Sequence, residues 1–192
     1  MKPINPITRL LATTFLSVAL GASVFAASQS YSVAKSTTSS VEFNFRVTLI
    51  PVPGKVNDLK AALNFDPKNL SKTSGTLTVN LTKLDTGIGL RDEHARGYLG
   101  AEKHPNAVFN LARIDGIKLL ETGKEVKGIA IGSFDLNGIK RPLNAPITLK
   151  LEGTRVNVST AFDVVLQDHQ ISIPGADSKV DVKVNFTLEP KS

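Results

Sequence analysis

The chain has 192 residues, a formal net charge of +6 and no cysteine. Without cysteine it can form neither a disulfide nor a thiol-linked lipid anchor, so burial alone must hold the fold together. The positive charge is spread along the chain and aromatic residues make up only 6% of it. With no basic run and no base-stacking surface, a nucleic acid partner is not expected.

The N-terminus has the organisation of a secretory signal peptide. Lys2 and Arg9 precede an apolar run from Leu10 to Ala26, which ends in the sequence VFA. This run is shorter than the roughly 20 apolar residues that a membrane-spanning helix needs. We therefore predict a signal peptide over residues 1–26 with cleavage near Ala26, a periplasmic or secreted protein, and no stable membrane insertion.

Beyond Ser30, apolar and polar residues alternate with a period of two. Such alternation is typical of strands with one buried and one wet face. The clearest apolar sets are Val41, Phe43, Phe45, Val47 and Leu49 near the start, Leu77, Val79 and Leu81 in the middle, and Val180, Val182, Val184, Phe186 and Leu188 at the end. We predict an all-β fold of eight or nine antiparallel strands.

Residues that favour turns separate these segments. The predicted turns are Pro51 to Gly54, Asp66-Pro67, Asn137-Gly138 and Pro174-Gly175. Between Ile131 and Phe134 the apolar set changes from odd to even positions, which predicts a β-bulge at Gly132.

The alternation leaves the sheet architecture open. A closed barrel would remove the free strand edges, whereas a two-sheet sandwich with a filled core has the same pattern. There is no internal repeat and no linker rich in Gly, Ser or Pro. Residues 27–192 are therefore predicted to form one domain.

The regular pattern stops in the stretch LRDEHARGYLGAEKHPNAVF, residues 90–109. If this stretch forms a short helical crossover near residues 90–104, Arg91 and His94 share one face at i, i+3. Asp92 and Arg96 can pair on another face. Two interpretations remain: a group of donors for an anionic ligand at a barrel mouth, or a solvated connection with internal salt bridges.

Motifs for catalysis or metal binding are missing. No serine lies in a G-x-S-x-G elbow. His94 and His104 lack HExxH spacing, and thiolate ligands for zinc are absent. We predict no catalytic residue, no metal and no cofactor.

The stretch KLDTGIGLRDEHARGYLGAEKHPNAVF, residues 83–109, resembles the signature of the YceI-like family. The matching elements are Asp85-Thr86, then Arg91-Asp92-Glu93-His94, and then Lys103 with Pro105, Ala107 and Phe109. A second block, IGSFDLNGIKRPLNAPITL at residues 131–149, is similar to the family's glycine-containing strand and hairpin. The resemblance covers essentially the whole chain after the predicted signal peptide.

This resemblance implies an extended, eight-stranded, lipocalin-like antiparallel barrel. It also implies an internal apolar pocket for a long-chain amphiphile: a polyisoprenoid, a quinone, or a fatty acid or amide. On this basis Arg91, Asp92 and His94 are candidates for binding the polar head group. The predicted pocket residues are Val41, Phe43, Phe45, Val47, Leu77, Val79, Phe109, Val182, Val184 and Phe186.

One departure from the family pattern concerns the end of the first long strand. Many members carry a histidine there, where this chain has Leu49. Two other functions stay open. The protein could be a structural or interaction barrel with a filled core, or an accessory enzyme of isoprenoid or quinone chemistry that uses the Arg91, Asp92 and His94 cluster. A homodimer is also left open.

Overall fold

A computed structural model describes residues 29–35 and 39–191. The described residues form one α-helix, α1 at Gly89–Tyr98, and a single sheet of eleven strands. The strands are β1 Gln29–Val33, β2 Ser40–Val47, β3 Ile50–Val56, β4 Leu59–Phe65, β5 Ser74–Asn80, β6 Leu84–Asp85, β7 Asn106–Asp115, β8 Glu125–Leu136, β9 Ile139–Glu152, β10 Arg155–Val165 and β11 Lys179–Pro190. Short 3₁₀ helices lie at Leu70–Lys72, Leu81–Lys83 and Leu166–His169.

The eleven strands occupy eight strand positions around a closed antiparallel barrel, and we call each position a stave. Strands β1 and β2 both pair with β11, while β1 pairs with β4 and β2 with β3. Strands β1 and β2 therefore form the first stave, which is interrupted. In the same way β3 and β4 form the second stave, and β5 and β6 form the third. The remaining strands follow in chain order, each antiparallel to its neighbour, until β11 returns to the first stave. The predicted all-β, eight-stranded barrel is confirmed, and so is the short helix inside the predicted crossover.

The hairpin turns agree with the prediction at one site and differ at another. Asn137 and Gly138 both have positive φ and connect β8 to β9, as predicted for an Asn-Gly turn. The predicted turn at Pro51 to Gly54 is wrong, because these residues belong to β3. The turn lies earlier, at Thr48 and Leu49, so Leu49 is not the end of the first strand.

The proline-containing sequence can form a strand because of its register. Pro51 pairs with Arg46 and Pro53 with Asn44, two residues apart on the same strand. Both positions are the non-hydrogen-bonded type in this hairpin, so their nitrogens point away from β2. On that side β3 pairs with β6 only at Lys55 and Val56. The prolines therefore remove no ladder hydrogen bond and protect a free edge.

The predicted β-bulge lies in the neighbouring strand. The register between β7 and β8 shifts between Leu111 and Arg113, so the extra residue is Ala112. Strand β8 keeps its even-numbered residues inside throughout, and Ile129 is on its outer face with 45% of its surface exposed. The prediction that the isoleucines at odd positions face inward is therefore wrong.

The barrel has a sealed end, which we call the floor, and an accessible end, which we call the mouth. Phe65, Leu149 and Leu188 are each 1% exposed at the floor. The Tyr31 ring packs on Phe65 with the ring centres 5.1 Å apart, and Leu70 is fully buried in the same apolar cluster. At the mouth lie α1, the β2–β3 turn and the β8–β9 turn.

The predicted signal peptide, residues 1–26, lies outside the described residues and stays a prediction. None of the helices in the described part of the chain has the length and apolar character needed to cross a bilayer.

Candidate functional site

A cavity of about 620 Å³ occupies the barrel interior. This volume is within the range of about 300–1,000 Å³ that is typical of small-molecule sites. The wall consists of inward-facing strand residues, and all seven phenylalanines of the described residues line it. Lining residues are almost fully buried at the floor, whereas Thr48, Ile50 and His94 at the mouth are exposed. The cavity is therefore a long apolar chamber that opens at one end.

The structure brings together the whole set of predicted pocket residues. Each of the ten points into this cavity, from strands β2, β5, β7 and β11. They are Val41, Phe43, Phe45, Val47, Leu77, Val79, Phe109, Val182, Val184 and Phe186. Their contact with a ligand stays a prediction, but their common orientation follows directly from the period-two alternation.

The sequence prediction missed the opposite wall. Phe134 on β8, Phe162 on β10, and Ala130 and Ala145 on β8 and β9 also line the cavity. The same alternation was present in these segments, and closure of the barrel makes every inward-facing set part of one wall. The wrong phase predicted for the first half of β8 concealed Ala130.

Helix α1 covers part of the mouth and is held by its first turn. The Asp85 carboxylate accepts a hydrogen bond from the Gly87 N–H at 2.8 Å, and Gly87 has a φ of 80°. This bend follows β6 and leads into the helix. No residue of α1 is fully buried, so the helix lies on the opening and does not enter the core. Its cavity-facing residues recur at helical spacing: Arg91, His94, Ala95, Tyr98 and Leu99.

Arg91 lines the cavity and is positioned by one neighbouring residue. Its Nε donates to the Thr86 hydroxyl at 2.9 Å, and its Nη2 donates to the Thr86 carbonyl at 2.6 Å. Both acceptors are neutral, and Arg91 forms no ion pair with a carboxylate of the described residues. Its Nη1 lies at the edge of the cavity without a hydrogen-bond partner among the described residues.

The structure gives Asp92 a different position from the one predicted. It is not among the described residues that line the cavity. Its carboxylate accepts hydrogen bonds from the Thr86 hydroxyl and from the Thr86 N–H, the latter at 2.7 Å. These bonds, the hydroxyl first, hold the pKa of Asp92 below its ordinary value. Arg96 donates to the Leu84 carbonyl at 3.3 Å. Asp92 thus fastens the start of α1, and a head-group contact by Asp92 stays an untested prediction.

The depressed pKa of Asp92 predicts a pH dependence of stability. A carboxyl whose pKa is lower in the folded state stabilises the fold above the unfolded value of about 3.9. This contribution is lost as the pH falls through the folded-state pKa. We expect Asp92→Asn to be less stable than wild type at pH 6, and the difference to shrink below about pH 4. Chemical unfolding followed by circular dichroism at several pH values measures this.

Glu93→Gln is the matched control, because Glu93 is an exposed neighbour on the same helix. Lys150 also lowers the pKa of Glu152. The loss of wild-type stability at low pH therefore reflects more than one carboxyl group. Only the difference between wild type and Asp92→Asn isolates Asp92. An equal difference at every pH would contradict this role.

The polar groups of the cavity lie mainly at its mouth. Thr48, Arg91, His94 and Tyr98 are there, whereas Thr160 lies on β10 and donates to the Pro146 carbonyl at 2.7 Å. No Asp or Glu of the described residues lines the cavity. Within the described ranges, no group of three or more His, Cys, Asp or Glu side chains could hold a metal ion. The chamber thus has an apolar body and one cationic end.

These features define a lipocalin-like barrel, in which closed antiparallel strands enclose an apolar chamber that opens at one end. The chain belongs to the YceI-like domain family, whose sequence model matches residues 31–190. A UPF0312 protein of Pseudomonas aeruginosa is 28% identical over 194 aligned residues, which cover 94% of this chain and 98% of the relative. The predicted family membership is confirmed.

Solved structures with the same fold are more distant in sequence. A polyisoprenoid binding domain from Saccharophagus degradans superposes with a TM-score of 0.68 at 16% identity, and the match covers 85% of this chain and 99% of that domain. BcnA of Burkholderia cenocepacia superposes with a TM-score of 0.67 at 17% identity, with coverage of 78% and 95%. At such identities the likeness shows the fold alone.

Proposed function

We propose that this protein is an exported carrier that binds one long-chain amphiphile inside the barrel. The apolar tail lies along the chamber, and the polar head lies at the mouth beside Arg91 and His94. One observation carries the proposal: a cavity of about 620 Å³ whose wall is apolar except at one cationic end. Burial of the tail supplies the driving force, at about 0.8 kcal/mol per CH₂ group before the costs of association.

Two further observations support this function. The fold is shared with a domain named for polyisoprenoid binding, and the proposed ligand is of that class: a polyisoprenoid, a quinone or a fatty chain. The N-terminal sequence, with its basic start and short apolar run, supports export to the periplasm or beyond.

The alternative functions have weaker support. A structural barrel with a filled core would pack its interior at ordinary density, without a chamber of this size. An enzyme that used Arg91, Asp92 and His94 together would need the carboxylate inside the cavity. The Asp92 carboxylate is bonded to Thr86 instead.

Solvent extraction of the purified protein followed by mass spectrometry tests the proposal. We expect an amphiphile of defined mass in stoichiometric amount. A clean extract from protein made in lipid-replete cells, together with no binding of added prenyl or fatty amphiphiles, would overturn the carrier function.

The head-group position predicts a selective loss of affinity. His94→Ala should weaken binding of an amphiphile with a phosphate or carboxylate head by about tenfold or more, because a charge-assisted hydrogen bond is lost. A hydrocarbon analogue without the head should bind as before. Titration with both ligands measures this, and Arg91→Ala should behave in the same way.

A control variant isolates the head-group effect. Glu93 lies on the same helix and does not line the cavity, so Glu93→Ala should bind both ligands as wild type does. An equal loss for the charged and the headless ligand would contradict the assigned head position.

A further inference from the structure

Large apolar side chains are exposed around the mouth of the barrel. We define them as the mouth rim: Leu49, Ile50, Ile88, Leu90 and Tyr98, with exposed fractions of 83%, 65%, 54%, 65% and 44%. Two other large apolar residues of the described part are exposed to a similar degree, and both lie away from the mouth. A soluble protein rarely clusters such residues without a use for them.

The rim is brought together by the third stave of the barrel. Strand β3 pairs with β6 through Lys55 with Asp85 and Val56 with Leu84. This pairing places β6, and the bend at Gly87 that leads from it into α1, next to β3, the strand that begins after Leu49. Ile50 and Tyr98 belong both to the rim and to the cavity wall. These two side chains therefore connect the exposed apolar surface of the rim with the wall of the chamber.

The backbone at Leu49 adds an independent observation. Thr48 and Leu49 have φ values of 49° and 68°, the left-handed conformation that Asn and Gly adopt most easily in a two-residue hairpin turn. A β-branched residue and a leucine are strained there. Leu49 is also the most exposed of the large apolar residues described, so packing does not compensate for the strain. Stability of the barrel does not explain a leucine at this position.

The charges around the rim are nearly balanced. Over residues 47–56 and 83–104 there are five basic and four acidic residues, a net charge of 5 − 4 = +1. Next to the turn, Arg46 is paired with Asp177 at 2.9 Å. The mouth rim combines leucine and isoleucine side chains, a neighbouring tyrosine and a slight positive charge. This composition suits the interfacial zone of a bilayer, including one that contains anionic lipids.

We propose that the mouth rim docks the barrel onto a lipid bilayer, with Leu49 and Leu90 inserted among the lipids and the cavity facing the membrane. This inference rests on the proposed function, since the bilayer is where a long-chain amphiphile is held. In this orientation a tail passes from the membrane past Ile50 and Tyr98 into the chamber and does not cross water. The occupant of the rim is the lipid surface.

The chain contains no tryptophan, so a single introduced tryptophan reports on its own position. We expect the fluorescence of Leu49→Trp to shift to shorter wavelength when vesicles of phosphatidylethanolamine and phosphatidylglycerol are added. Leu119→Trp is the matched control, because Leu119 is 48% exposed in the β7–β8 connection at the floor end. Its spectrum should not change.

Binding itself is measured by vesicle flotation. The double variant Leu49→Asp with Leu90→Asp should lower the vesicle-bound fraction by about tenfold or more, and Leu119→Asp should leave it unchanged. Equal binding by wild type and the double variant would overturn the proposal, as would an equal loss in the Leu119 variant. A wild-type dimer that the double variant converts to monomer, without vesicle binding, would make the rim a self-association surface and also overturn it.

These measurements test membrane docking and amphiphile binding separately. The double variant should still take up amphiphile that is offered in detergent micelles, because the chamber is intact. If vesicle binding depends on the rim but no amphiphile is ever bound, the docking stands and the carrier function fails. If amphiphile is bound from micelles and the rim has no effect on vesicle binding, the carrier function stands and the docking fails.

Discussion

Ala145→Trp should empty the barrel of its amphiphile. Ala145 on β9 lines the middle of the chamber and pairs directly with Ala130 on β8. An indole at this position fills the lumen and displaces at least about four methylene groups of a tail, or about 3 kcal/mol of burial. Affinity should therefore fall by more than about a hundredfold. Extraction with mass spectrometry and titration with a prenyl or fatty amphiphile measure the loss.

Ile129→Trp is the matched control, since Ile129 lies on the outer face of β8 beside the same pair of alanines. It should keep wild-type affinity. Circular dichroism should show both variants folded, because the added ring occupies a chamber and does not displace packed atoms. Wild-type affinity in Ala145→Trp would mean that the ligand binds elsewhere.

Leu70→Ala should cause the largest loss of stability among the single substitutions considered. Leu70 is fully buried under the floor, in the 3₁₀ helix that packs against β4 and β7, and it does not line the cavity. Removing its side chain leaves a void in packed apolar surroundings, at a cost of about 2–5 kcal/mol. Urea unfolding followed by circular dichroism measures the change.

The exposed residue Leu119 provides the comparison. Leu119→Ala should change the free energy of unfolding by less than about 0.5 kcal/mol. Below its own unfolding transition, Leu70→Ala should bind amphiphile as wild type does, because the chamber wall is unchanged. A small effect on stability would show that the floor repacks around the deleted side chain, in contradiction to this expectation.

The wall of the chamber could be predicted because strand periodicity is a local property. A side chain that alternates at Val41, Phe43 and Phe45 must point to one face whatever the partner strand is. The Asn137-Gly138 turn was equally predictable, because few residue pairs adopt two positive φ values. Family resemblance then decided between a barrel and a sandwich, a choice that periodicity leaves open.

The errors arose where neighbouring strands override local preference. Pro51 and Pro53 favour a turn by themselves, but the register with β2 places their nitrogens on a free edge, where a strand tolerates them. Thr48 and Leu49 carry no turn signal, and their conformation is imposed by the strands on either side. The bulge at Ala112 depends on how β7 meets β8, which no single segment encodes.

The candidate head-group site was predicted only in part, for a similar reason. Helical spacing predicted that Arg91 and His94 share one face, and both of them line the cavity. It could not show that Thr86, six residues before Asp92, would bind that carboxylate. Such a bond depends on the bend at Gly87, which lies between them.

Closure of the barrel between its first and last strands also constrains when the protein can fold. The N-terminal stave pairs with β11, and the Lys191 N–H donates to the Ser30 carbonyl at 2.8 Å. These partners are separated by almost the whole chain, so contact order is high and folding is expected to be slow. Until β11 is available, the ladder edges of the first stave and of β10 have no partner. A nascent chain therefore cannot close the barrel before its last strand has been made.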